Sequence, residues 1–299
     1  VLRRFYNGIL SVWLAVTLLF FAMRVLPGDA VESSLIGSGA SASVIESRRA
    51  ALGLDAPPLV QYGLYWFNLL RGDFGISLLN GRPVIEIIAQ NLRPTVELAV
   101  GAILFAVLFG GGVGLWAAQG GILPRIVIAL TQSVPILWTG TLAVYVFAAQ
   151  LNLLPSGGAG GAASIILPIG VLGFHTSGAI AAVFAAALRE ANVSDYALVA
   201  RAKGLRSRHV WLRHLTPNAL APVMTVIGLQ FGFLLGGVVV TESLFARPGI
   251  GRALLNATMT QDYPVVQGIA VYSALIYLLV MTATDVLKLW IDPRIRAMP

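Results

Sequence analysis

The chain has no cysteine in 299 residues, so neither a disulfide framework nor thiolate chemistry is open to it. Charge is scarce too: 11% of the residues are Asp, Glu, Lys or Arg, against about 25% in a soluble domain. There are three histidines. His209 and His214 stand five apart, off any shared helical face and without a carboxylate cluster, and His175 lies far from both, so the spacing offers no metal site. No G-x-x-x-x-G-K-[S/T] run occurs, so the chain cannot cradle ATP in a P-loop. The glycines at 157–161 follow Leu154-Pro155 rather than a strand, and read as a turn. The net charge of +7 does not point to nucleic acid, because the basic residues sit at the ends of apolar runs and not on a soluble domain.

What is abundant is apolar sequence, 57% of the chain. Gly8 to Leu26 is apolar except for Arg24, and its nineteen residues just cross a ~30 Å hydrocarbon core. A signal peptide would also begin basic and run apolar. This run is longer than the usual h-region and lacks a small-x-small cleavage site, so a retained helix is expected. Five further spans are expected: Leu98 to Ala118, Ile126 to Ala149 with Pro135 inside it, Ser164 to Leu188, Ala219 to Thr241, and Gly268 to Leu287. The composition and the six runs make an all-α multispanning membrane protein.

The polar stretches between these runs carry the information. Leu188 to Val223 holds six of the twenty Lys and Arg: Arg189, Arg201, Lys203, Arg206, Arg208 and Arg213. Ser194-Asp195 reads as a cap followed by an acid on the positive dipole end. Tyr196 to Lys203 has no breaker, and Gly204 suits the left-handed residue after a helix. Tyr196, Val199 and Ala200 are expected on one face, continued by Lys203, and the small Ala200 and Ala202 would admit close docking of another surface. A second short helix is expected from Ser207 to Leu215, with Thr216 capping the next span and Pro217 at its first position. On charge alone this loop could equally be held by anionic membrane lipid.

The order of residues distinguishes the two. Asp195-Tyr196, Ala200 to Leu205, His214 and Pro217-Asn218-Ala219 resemble the cytoplasmic loop of ABC importer permeases of the dipeptide, oligopeptide and nickel type. Gly204 and Pro217 keep that family's thirteen-residue spacing, although Glu190-Ala191 is out of phase with its E-A-A. The likeness extends to Pro27-Gly28-Asp29, Leu52-Gly53-Leu54-Asp55, Val60-Gln61-Tyr62 and Gly72-Asp73-Phe74-Gly75-Ile76-Ser77. It also covers Glu242-Ser243-Leu244-Phe245, Pro248-Gly249-Ile250-Gly251, Asp262-Tyr263-Pro264-Val265-Val266-Gln267-Gly268 and Asp292-Pro293-Arg294-Ile295-Arg296.

The resemblance implies a six-helix type I importer permease fold with both termini cytoplasmic. It implies that Asp195, Tyr196, Val199, Ala200, Arg201, Ala202, Lys203, Gly204 and Leu205 form a coupling helix on an ATPase. The partners it implies are a second homologous permease, two ATP-binding subunits and an extracytoplasmic solute-binding protein. ATP and Mg would then reside on the partner subunits, with no cofactor or metal in this chain and no enzymatic step of its own. The location would be the cytoplasmic (inner) membrane of a bacterium or archaeon.

Charge gives the same orientation. With the amino terminus inside, the inner segments carry a net +8 and the outer ones −1. The division expected is a first helix at 1–26, an extracytoplasmic segment at 27–94, an ABC transmembrane type-1 core at 95–291 containing the coupling loop 189–217, and a tail at 292–299. Within the outer segment, Trp66, Phe67, Leu69 and Leu70 read as a short amphipathic helix.

Three further sets of residues stand out. Gly228, Gly232 and Gly236 recur every four residues, with Gln230 on the same helix, a small-residue stripe that suits close helix packing. The family places that helix beside the pathway, against the partner permease; packing within the chain is the plainer reading. Glu97, one turn inside the second helix, is a candidate for the pathway or for simple snorkelling. Glu242, Phe245, Pro248, Gly249 and Gly251 form a run at the outer mouth expected to gate the pathway or dock the binding protein. An ion-coupled secondary carrier remains the alternative, supported weakly by Glu97 and Asp285, and a lipid-regulated scaffold is the third reading.

Overall fold

The computed structural model describes residues 2–25, 43, 46 and 55–291. Pro27 to Asp29, Leu52 to Leu54 and Asp292 to Arg296, all quoted above, lie outside them. The described residues form helices and turns, with one antiparallel bridge between Ile76 and Pro83.

Five helices are long and apolar enough to cross a membrane, and a bent pair gives a sixth span when its two halves are taken together. They are α1 (Leu2–Val25), α3 (Val84–Ala118), the pair α4 (Leu123–Ser133) and α5 (Ile136–Ala143, continued by a wide turn Val144–Gln150), α6 (Ile166–Asn192), α8 (Thr216–Leu235) and α11 (Tyr263–Ile291). Between them lie α2 (Pro58–Leu70), α7 (Asp195–Ala202), α9 (Val239–Leu244) and α10 (Ile250–Met259).

The parallel pair α3 and α6 is the centre of the bundle. Glycines let the two backbones touch. A Cβ at Gly110 would lie 2.7 Å from the Ser177 carbonyl oxygen, and one at Gly114 would lie 3.0 Å from that of Ala181. Leu98, Ala102, Ala106, Ile180, Phe184 and Leu188 fill the seam and are fully or almost fully buried. The second helix thus meets α6 backbone to backbone at Gly110 and Gly114.

The spans depart from expectation in four places, each with a physical reason. First, Ile126 to Ala149 is not one helix: α4 and α5 meet at 100° around Val134 and Pro135. Pro135 has no N–H, and Val134 before it adopts extended backbone, so the helix stops rather than kinks. Second, α3 begins at Val84, fourteen residues before the expected Leu98, and takes in 84–94 from the supposed loop. Polar Glu86, Gln90, Asn91 and Arg93 hid its periodicity, whereas Val84 and Ile88 bury against Ile250, Val265, Val266 and Ile269.

Third, the fifth span ends at Leu235 rather than Thr241. Gly237, at φ +113°, turns the chain into α9, a conformation that favours glycine. Fourth, Thr216 caps nothing. The helical path runs unbroken from Ser207 through a wide turn, Val210–Leu215, into α8, giving 29 continuous residues. Among the described residues the buried Thr216 hydroxyl has no hydrogen-bond partner.

Outside the spans, α2 lies against the C-terminal half of α1. Arg24 donates twice to the Gln61 carboxamide oxygen, at 2.8 and 3.0 Å, and stacks on Phe20. Tyr62 shares a hydrogen bond of 2.7 Å with Thr17. Of the expected amphipathic set, Trp66 and Leu69 are half-buried, whereas Phe67 and Leu70 are exposed. At the far end of the chain Lys288 pairs with Asp285 at 3.2 Å, as their spacing suggests.

Candidate functional site

Helix α7 is built by its ends. Ser194 is extended at the N-cap, and its carbonyl accepts the N–H groups of Ala197 and Leu198 at 3.0 and 3.1 Å. Its hydroxyl does not cap, because it donates to the Ala191 carbonyl instead. Asp195 supplies the acid of the first turn. At the other end Gly204 N–H bonds Arg201 O at 2.9 Å and Leu205 N–H bonds Ala200 O at 3.4 Å, with Gly204 at φ +75°. This is the crossed pair of bonds of a Schellman motif, which needs a left-handed residue at the glycine position.

The open face of α7 keeps the expected Tyr196, Val199 and Lys203 but not Ala200. Ala200 is buried, and with Ala197 it packs on Val210 and Leu215 of the same chain. The surface left open carries Tyr196, Leu198, Val199, Ala202 and Lys203, with Leu198 67% and Val199 51% exposed. Of the two small alanines, Ala202 is exposed and Ala200 is covered by its own chain. Arg201 turns back to its own chain, donating to the backbone and side-chain oxygens of Asn192. Lys203 is the cation left facing outward.

The glycine stripe of α8 packs against α11 of the same chain, not against a second permease. A Cβ at Gly228 would collide with the Thr284 side chain. One at Gly232 would lie 3.0 Å from the Tyr277 ring, and one at Gly236 would lie 3.6 Å from Ser273. Gln230, two residues from both Gly228 and Gly232, is half-buried on the other face of α8.

The run expected at the outer mouth is mostly interior. Glu242 and Phe245 have 0% and 1% of their surface exposed, Gly249 and Gly251 are also buried, and Pro248 is exposed. The Glu242 carboxylate accepts the Thr95 hydroxyl at 2.6 Å and the backbone N–H of Arg252 at 2.9 Å. Thr95 in turn accepts the N–H of Ile250 at 2.9 Å. A glutamate and a threonine thus satisfy the first N–H groups of α10, and Gly249 is required because a Cβ there would strike the carboxylate. Beside this knot Glu97 pairs with Arg93 and with the buried Arg247, each at 2.9 Å, which ties α3 to the segment after α9. Glu97 is a structural anion held between two arginines.

A second clamp was not anticipated. The buried Asp262 accepts the Ser77 hydroxyl, and its other oxygen accepts the Leu78 N–H at 3.1 Å. Asp262 and Ser77 belong to the two quoted motifs D-Y-P-V and G-D-x-G-x-S, 185 residues apart. Two polar motifs that flank spans at the same end of the bundle carried the signal, since each leaves an acid or hydroxyl that burial obliges to find a partner.

This geometry is that of a polytopic helical membrane protein: a glycine-packed bundle, loops at one end locked by buried carboxylates, and a short capped helix presenting an apolar face at the other. Residues 106–297 match the family of binding-protein-dependent transport system inner membrane components. The chain belongs to that family, and is a permease subunit of a binding-protein-dependent ABC importer. It is 36% identical to the glutathione transport system permease protein GsiC of Escherichia coli strain K12, over 99% of this chain and 98% of that one. It is 38% identical to GsiC of Salmonella choleraesuis, with the same coverage. In fold it is similar to an inward-facing structure of the MetNI methionine ABC transporter, at a TM-score of 0.58 and 15% identity, covering 70% of this chain and 97% of that one. An amino acid ABC transporter crystallised with histidines gives a TM-score of 0.50 at 17% identity, covering 70% and 94%.

Proposed function

We propose that this permease subunit supplies half of a translocation pathway for peptide-sized solutes and takes its motion from an ATPase docked on α7. The observation that carries the reading is the open face of α7, where Tyr196, Leu198, Val199 and Ala202 lie exposed on a helix fixed at both ends. Exposed apolar side chains on a rigid helix outside the bilayer suit a groove on another protein. In this reading both termini and α7 are cytoplasmic, as the basic residues of the α7 loop favour. ATP and Mg bind to two partner subunits, a second permease completes the pathway, and a solute-binding protein delivers cargo from outside a bacterial or archaeal inner membrane.

Glutathione-like or short peptide cargo is the class that the relatives favour; the names of GsiC in two organisms support it. Nickel chelates have no comparable support. The ion-coupled alternative gains nothing from Glu97, which is already paired twice.

The test is a reconstituted complex in vesicles. Loaded binding protein should stimulate ATP hydrolysis several-fold, and uptake should stop when ATP is withheld. Uptake by this chain alone, driven by an ion gradient, would overturn the proposal.

A further inference from the structure

The elbow between α4 and α5 has no place in the account so far. Helix α4 is eleven residues long, so the elbow sits about 16 Å from its start, roughly half the depth of a ~30 Å hydrocarbon core. Pro135 cannot donate to Thr131, the carbonyl four residues earlier. His175 of α6 fills that vacancy: its Nδ1 lies 3.0 Å from the Thr131 carbonyl oxygen. A carbonyl can only accept, so Nδ1 carries the hydrogen and Nε2 accepts the Thr139 hydroxyl, 2.9 Å away on α5. One imidazole thus holds both arms of the elbow. Gly178, one turn further along α6, leaves no room for a Cβ beside Thr131, so the arms are pressed onto α6.

The outer side of the elbow is polar and open. Gln132 and Ser133 are exposed, and among the described residues their side chains make no hydrogen bond. No backbone bond among the described residues reaches the carbonyls of Gln132, Ser133 or Val134. Non-helical backbone and free amides are not tolerated against lipid at this depth; they occur where they line water or meet protein.

We propose that this elbow, pinned by His175, is a polar contact point in the translocation pathway, touching hydrogen-bonding solutes of peptide type through Gln132, Ser133 and the open carbonyls. It rests on the transport reading above. The set is neutral and offers both donors and acceptors, which suits amides in transit. A fixed charge would hold a solute too firmly for it to leave. His175 is a positioning residue here, because both its nitrogens are taken by Thr131 and Thr139.

The absence of native cysteine makes the test direct. In the reconstituted complex, Gln132→Cys and Ser133→Cys would be compared with Leu18→Cys, which is 69% exposed on α1 and serves as the lipid-facing control. The probe is a membrane-impermeant methanethiosulfonate, with labelling of this chain read by mass spectrometry during ATP turnover. We expect positions 132 and 133 to label at least about 10-fold faster than position 18. Millimolar trialanine should slow that labelling where mannitol does not. Rates equal to the control would overturn the proposal, and equal protection by both solutes, or by neither, would overturn the solute contact. His175→Leu should change the labelling ratio several-fold and His175→Gln, which keeps a donor, should restore it; an unchanged ratio in H175L would remove the pin. Binding-protein-stimulated hydrolysis by each unlabelled variant reports separately on the importer reading, so failure of the elbow with stimulation intact leaves that reading standing.

Discussion

Replacing Glu242 by alanine should be among the most damaging single changes outside the central seam. The side chain is fully buried and holds two donors, the Thr95 hydroxyl at 2.6 Å and the Arg252 N–H at 2.9 Å. Alanine strands both, at about 1–3 kcal/mol each, and leaves a cavity that adds to the loss. A total of about 3–6 kcal/mol follows. At roughly 2 °C per kcal/mol for a chain of this size, the midpoint should fall by about 6–12 °C. Glutamine keeps the volume and one acceptor, so E242Q should lose about 1–2 kcal/mol, the difference between a charge-assisted and a neutral bond. Gly249→Ala drives a Cβ into the carboxylate and should approach E242A without touching the acid itself. The assay is thermal unfolding of the purified complex in detergent, followed by tryptophan fluorescence. An E242A midpoint within 1 °C of the parent would refute the claim that this carboxylate secures α10 to α3.

Ala200→Trp should destabilise the permease by overpacking its own core, about 1–3 kcal/mol, whereas Ala202→Trp should leave the midpoint within 1 °C and reduce ATPase co-purification. The reverse ranking would mean that α7 docks through the face now buried. Gly232→Leu should loosen α8 from α11 through Tyr277 and cost about 1–3 kcal/mol, read as a lower midpoint of this chain purified without its partner permease.

The number of spans and their approximate places were legible in the sequence, because a run such as Leu98 to Ala118 has one reading at its length. The capped helix at 195–204 was legible too, since Ser, Asp and Gly stand where backbone geometry wants them. Which way that helix faces was not. Ala197 and Ala200 are buried by Val210 and Leu215, residues that only the return of the chain brings near. The outer run 242–251 misled for a related reason. Glutamate beside Gly and Pro reads as a solvated turn until Thr95, 147 residues away, is seen to donate to it. Pro135 was noticed, but a proline inside a membrane span more often kinks than folds it. The 100° bend brings Thr131 and Thr139 to His175 on another helix, which no local pattern announces.

The unbroken helical path from Ser207 to Leu235 has a mechanical meaning. Its 29 residues make a rod about 43 Å long. The foot of that rod touches α7 through Val210 and Leu215, and its far end stops at the glycine hinge before α9. A tilt of about 5° about the crossing with α11 at Gly228 and Gly232 would move the foot by about 3 Å and the tip by less than about 1 Å. The tip meets α9, whose Glu242 is locked to α3 and α10. Such a rod works as an oar through a fixed rowlock, with the α11 crossing at Gly228 and Gly232 as the fulcrum, so that a long stroke at the foot arrives at the tip as a short one of greater force on the locked loops there.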